Sequence, residues 1–169
     1  EEVESRAERY QVRLSKVGDS VQVTVEKNIN TVAPLLTAAH LYEMDRDPTW
    51  LPLLDTWAEW VMHEMPRTRE GGLQHIVYNS VNDQQIWDDT LMMSVLPLAK
   101  IGLVLNRPEF VEEAKYQFLV HTQYLMDTQT GLWFHGWTFD TKGACTYVEH
   151  QEDWQGALTE DRTRLGPVA

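Results

Sequence analysis

The chain has 169 residues, 26 Asp and Glu against 14 Lys and Arg, and a formal net charge of −12. That length suits one domain. A hydrophobic share of 43% with 24% charged residues excludes a disordered chain, and the acidic balance, with no basic stripe, argues against a nucleic-acid partner.

No apolar run reaches the roughly 18–20 residues of a membrane helix, so no membrane partner is expected. Cys145 is the only cysteine, which leaves no intrachain disulfide. No metal-binding spacing of Cys, His or acidic residues occurs, and no metal or other cofactor is expected. No signal peptide is visible. The chain begins at Glu1 rather than Met, so loss of an upstream segment is an open expectation, and both a cytoplasmic and a secreted location stay open.

In chain order, residues 20–25 alternate as a short strand. Residues 31–44 carry Val32, Leu35, Leu36, Ala39 and Tyr42 at helical spacing, with Asn30 as the expected N-cap and Pro34 in the first turn. A second helix is expected over 49–65, with Leu53, Leu54, Trp57, Trp60, Val61 and Met65 on one face and the Trp pair in the core. Residues 73–78 carry a second strand signal. A third helix spans 86–105, where Pro97 should bend or break it. A fourth spans 108–126 through Val111, Ala114, Phe118, His121 and Leu125. Pro48 and Pro108 stand near helix starts, while Pro66 and Gly131 follow helix ends.

A shift of about 60 residues lays the chain on itself. Pro48 falls on Pro108, Trp50 on Phe110, Ala39 on Ala99, Gly71 on Gly131 and His75 on His135. Each unit is a helical hairpin followed by a Gly-x-x-x-His loop. Such hairpins suit an all-α ring, an α/α toroid, in which equivalent loops emerge at one end. His75 and His135 should then face a shared cleft. The remaining histidines lack that context: His40, His63 and His121 fall in helices and His150 in the tail, as core or surface residues.

The candidate chemistry lies in Asp83 to Met93, which opens the third helix. Asp88 and Asp89 are adjacent and point about 100° apart. Either can be a carboxylate favoured by the helix N-terminus. Asp89 also shares a face with Met93 and lies two residues from Trp87. A carboxyl packed on aromatic and thioether groups loses solvation and can serve as a general acid near neutral pH. The loop Gly131-Leu132-Trp133-Phe134-His135-Gly136-Trp137 joins small residues to Trp faces that suit a sugar. It can equally be a packed plug whose histidine is satisfied by backbone carbonyls. No nucleophile elbow or phosphate loop is present.

Four stretches together resemble glycoside hydrolase family 105, the unsaturated rhamnogalacturonyl hydrolases: Glu26 to Thr31 with Ala33 to Leu36, Gly72-Leu73-Gln74-His75, Trp87 to Met93, and Gly131 to Trp137. The resemblance runs in order from about residue 20 to residue 140. It implies part of an (α/α)6 barrel, about half the ring, over residues 1–140, with 141–169 as a divergent tail. It also implies pectin-type chemistry: hydration of the 4,5-double bond of a terminal unsaturated uronic acid, which is released from rhamnose. By the same resemblance Asp89 is the catalytic acid. His75, Trp87, Asp88, Met93, His135 and Trp137 are the expected substrate-binding residues, and the partner is an unsaturated uronide oligosaccharide of rhamnogalacturonan or related type.

Three features depart from the family. Its chains are about twice as long, its Trp-x-Arg-Gly segment has no counterpart in 141–169, and the second Asp of the related glucuronyl enzymes is replaced by Lys27, Asn28 and Asn30. Two further expectations follow, self-association through open barrel edges and, as the alternative function, a non-catalytic helical repeat fragment binding a carbohydrate or protein partner.

Overall fold

The computed structural model describes residues 12–17, 20–139 and 145–146; His150 and most of the expected tail lie outside them. An antiparallel hairpin opens the chain, β1 (Val12–Val17) with β2 (Ser20–Val25), in the register Val12 opposite Val25. The strand expected at 20–25 is present. The helix expected over 31–44 is divided in two, α1 (Ile29–Val32) and α2 (Leu35–Asp45), around Pro34. The cap is Asn28 rather than Asn30. Its side chain accepts the Asn30 and Thr31 amides, while the Thr31 hydroxyl accepts the Asn28 amide in return. Asn30 itself is inside the first turn, where a side-chain oxygen has no free amide ahead of it to accept.

A single 3₁₀ turn (Pro48–Trp50) leads into α3 (Leu51–His63). Leu54, Ala58, Trp60 and Val61 are buried along α3, and Trp60 meets half-buried Trp57 edge to face at 6.3 Å. Leu53, placed on the same face by periodicity, is exposed.

Residues 86–87 do not start a helix. Gln85–Trp87 form β3, a turn follows at Asp88, and helical backbone begins at Asp89. A π turn over Leu91–Val95 precedes α4 (Leu96–Leu105), with the Leu96 amide reaching back to the Leu91 carbonyl. The expected disturbance at Pro97 thus takes the form of a widened turn just upstream, where proline supplies no amide for the α ladder. After the left-handed cap at Asn106 the chain reverses into α5 (Pro108–Leu125). Gly102 lets α5 approach: a Cβ there would stand 2.9 Å from the Arg107 carbonyl and from Val111 Cγ2. Arg107 then binds Asp55 and Glu59 of α3 and Glu109 of α5.

The main core joins α1 to α5 through Ile29, Val32, Ala39, Leu54, Leu98, Ile101 and Phe110. A smaller core lies beneath a three-stranded antiparallel sheet of β3, β4 (Gly136–Phe139) and β5 (Cys145–Thr146), and contains Ile86, Leu125, Trp137 and Phe139. No strand forms at 73–78, contrary to its alternation. Leu73 to Ile76 are buried without a ladder; isolated bridges join Leu73 to Arg67 and Val77 to Ser80, and single backbone bonds run from the Gln74 amide to Pro66 and from the His75 amide to Gln85. Side chains add to these bonds. Gln117 of α5, fully buried, accepts the Leu73 amide at 2.7 Å and donates to the Gly71 carbonyl at 2.9 Å and to Glu113 at 2.8 Å. Arg67 donates to the same Glu113 carboxylate at 2.6 Å. This explains why Gln117, and not the more apolar Phe118, faces inward on α5; Phe118 is 51% exposed.

Beside Phe118, the residues Met92, Leu96 and Leu119 are also exposed and border an apolar groove of about 740 Å³ between the π turn and α5. No helix among the described residues is long and apolar enough to cross a membrane.

Gln117→Leu keeps the volume but strands the buried Leu73 amide. It is expected to cost about 2–3 kcal/mol in chemical denaturation; a loss under about 0.5 kcal/mol would mean the loop is held by other contacts.

Candidate active site

Two loops converge on one indole at the end of a strand. β3 ends at Trp87. Its ring stacks on His75 at 4.3 Å with an interplanar angle of 14°, and meets His135 edge-on at 4.7 Å. His75 arrives from the loop after α3, where its amide donates to the Gln85 carbonyl and its carbonyl accepts from Asn82. His135 arrives from the loop after α5, delivered by the pairing of Gly136 with Trp87. The two histidines matched by the 60-residue repeat therefore meet the same indole. The repeat extends to backbone detail, because Gly71 and Gly131 both adopt left-handed angles, with φ of +83° and +74°.

The two adjacent carboxylates reach different histidines. Asp88 Oδ1 lies 2.7 Å from His135 Nδ1 and also accepts the Asp89 amide at 2.9 Å. Asp89 Oδ1 lies 3.1 Å from His75 Nδ1, but off the direction of a hydrogen bond, and that oxygen is buried with no hydrogen-bond partner among the described residues. His75 Nδ1 is instead shared with the Thr90 hydroxyl at 3.1 Å. The Asp89 side chain as a whole is 40% exposed, so its carboxyl has one oxygen turned inward against the imidazole and the remainder open.

Of the seven residues singled out in the sequence, five come together: His75, Trp87, Asp88, Asp89 and His135. Met93 is half-buried against the main core. Trp137 is opposite Ile86, one pleat away from Trp87, and lies in the smaller core with Tyr124 and Phe139 at 5.7 and 6.3 Å. His40 and His63 are exposed and pair with Glu43 and Glu59 of their own helices. No cluster of three or more metal-ligating side chains occurs among the described residues.

One residue of this neighbourhood was marked by its spacing only as a helix position, core or surface. His121 is fully buried in α5, donates Nδ1–H to the Gln117 carbonyl at 2.8 Å, and has no partner for Nε2 among the described residues. Burial pushes it down to about 4, against the Gln117 carbonyl and the charges of Asp88 and Asp89, which favour the cation. His135 shifts the opposite way. The hydrogen bond to Asp88 raises it, opposed by partial burial and helped by the charges of Asp88 and Asp89. Near neutral pH the site thus combines a neutral buried imidazole with a second one biased toward the cation.

The sequence profile of Glycosyl Hydrolase Family 88 matches residues 4–154. The chain belongs to Glycosyl Hydrolase Family 88. Within that family it is 38% identical over 112 residues to the unsaturated rhamnogalacturonyl hydrolase YesR of Bacillus subtilis (strain 168), covering 65% of this chain and 33% of YesR. A crystal structure described as a possible member of the GH105 family from Salmonella enterica serovar Paratyphi A matches with 66% identity and a TM-score of 0.68, over 69% of this chain and 31% of that one. A second such structure, from Klebsiella pneumoniae, matches with 61% identity and the same TM-score and coverage. The helical layer of this family 88 chain is part of the α/α toroid fold, as its sequence implied. The matched stretch is about a third of each relative's length.

The His121 shift fixes a sign. A depressed folded value gives stability that is complete above the unfolded value of about 6.5 and is lost as pH falls toward about 4. His121→Gln should therefore flatten the pH dependence of unfolding free energy between pH 6.5 and 4, by about 3 kcal/mol. An unchanged slope would show that His121 takes up its proton in the folded state.

Proposed function

We propose that this chain carries the catalytic acid of an unsaturated rhamnogalacturonyl hydrolase, acting on the 4,5-unsaturated uronic acid at the non-reducing end of an oligosaccharide. The observation that carries the proposal is Asp89. It is a half-open carboxyl at the start of a helix, with one oxygen turned against His75 and without a hydrogen bond among the described residues, beside an indole flanked by two imidazoles. Family membership and the name of the Bacillus relative support the same reaction class.

In this mechanism Asp89 gives its proton to C4 of the double bond. The charge that develops at C5 is met by water, whose proton returns to the Asp89 carboxylate. The resulting hemiketal opens by breaking the bond from C5 to the ring oxygen, which leaves a ketone at C5 and a hemiacetal at C1. That hemiacetal collapses to an aldehyde, and the aglycone leaves with its oxygen, which takes up the hydroxyl proton. One group acting in turn as acid and base needs only the proton it started with. Asp89 and His135 are the partly exposed members of the cluster and would meet the sugar, while the buried Trp87 and His75 rings hold them from beneath.

A lyase-generated unsaturated disaccharide tests this. Absorbance of the double bond should decay with the wild-type chain, and Asp89→Asn should slow the decay about 10²–10⁴-fold. Full rate in Asp89→Asn would overturn the assignment of Asp89. A wild-type chain that binds the disaccharide saturably without turnover would favour the alternative of a carbohydrate-binding helical fragment.

A further inference from the structure

Asp88 and His135 are joined twice. The Asp88 amide donates to the His135 carbonyl at 2.9 Å, and the His135 ring returns the contact from Nδ1 to Asp88 Oδ1 at 2.7 Å. The backbone bond extends the pairing of β3 with β4 by one step beyond Trp87–Gly136. The side-chain bond then fixes the ring relative to that backbone. Asp88 Oδ1 is also the acceptor of the Asp89 amide, so one carboxylate oxygen ties the start of the catalytic helix to the His135 loop. Asp88 is 23% exposed and His135 34%, a half-buried pair at the margin of the cleft.

We propose that Asp88 is a positioning residue that acts through His135: it sets the ring's orientation, keeps the proton on Nδ1, and thereby fixes which face of the imidazole the cleft presents. An ionised carboxylate has acceptors only, so the contact requires the proton on Nδ1. Free histidine more often carries its single neutral-form proton on Nε2, and the partner of one ring nitrogen decides the state of the other. Among the described residues, the groups facing His135 are Asp88 and Asp89 from the helix start and, across the Trp87 ring, His75 from the loop after α3. The two carboxylates favour the imidazolium, which gives this strongly acidic chain a cation suited to an acidic sugar. That last consequence rests on the hydrolase reading; the geometry of the Asp88–His135 pair does not.

Nitrogen-15 NMR of the histidine rings in the full chain provides the test, with His135→Gln assigning the signals. In the wild type at pH 9, neutral His135 should be the Nδ1–H form. The Nε2–H form would overturn the proposal without any variant. Asp88→Asn retains an oxygen for the Asp89 amide and for the ring, but removes the charge. It should lower the His135 titration midpoint and leave those of exposed His40 and His63 in place. An unchanged midpoint in folded Asp88→Asn would also overturn the proposal. Neither readout needs substrate, so a failure of the hydrolase reading would appear separately, in the absorbance assay. With active chain, Asp88→Asn is further expected to raise KM for an unsaturated uronide more than it lowers kcat.

Discussion

The pairing of two very short strands is the constraint on which the site depends. β3 has three residues and β4 four, and the helices they follow and precede do not by themselves bring the two loops together. Because Trp87 lies opposite Gly136, His135 comes next to Asp88, and the small residue leaves the indole space for an imidazole on its edge. Slip that register by one residue and every side chain changes face. Trp137 would exchange places with Gly136 and the smaller core would lose its largest member. The apolar contacts of Ile86 and Trp137 below the sheet thus hold the polar contacts above it.

The second support comes from α5, a helix that contributes no residue to the cluster around Trp87. Through Gln117 it holds the Gly71–Leu73 backbone, and the His75 loop follows from there. Through His121 it places a neutral imidazole within electrostatic reach of Asp88 and Asp89. Buried polar side chains on a helix are costly unless satisfied. Here Gln117 is satisfied at the carbonyl and the amide ends, whereas His121 is satisfied at one nitrogen only. The support of the loop and the lowered His121 therefore share one helix face.

Much of this was legible in the sequence. Amphipathic spacing located α3, α4 and α5, and the 60-residue repeat carried the placement of His75 with His135, because equivalent hairpins present equivalent loops. The motif from Trp87 to Met93 marked the correct neighbourhood. Asn28 was missed as the α1 cap because Asn30 has the same chemistry two residues on, and only the reciprocal contact with Thr31 separates them. β3 was absorbed into the following helix because its partner lies about fifty residues away, beyond any local period. Residues 73–78 alternate like a strand, yet their backbone is held by the Gln117 and Asn82 side chains and by single bonds to Pro66 and Gln85 rather than by a continuous ladder. His121 was legible as a helix position but not as a neighbour of the site, and Gln117 carried no signal, since a polar residue on an apolar face is indistinguishable by spacing from a frayed pattern.

The central claim is that Asp89 and His135, held by the buried Trp87 and His75 rings, form one carbohydrate-binding face. Titration with an unsaturated galacturonide, followed by NMR of the histidine rings and indole amides, addresses it most directly. The account predicts saturable shifts at His75, His135 and Trp87 with a common dissociation constant, while exposed His40 and His63 stay still. No response at the three clustered rings, or equal response at His40 and His63, would contradict it.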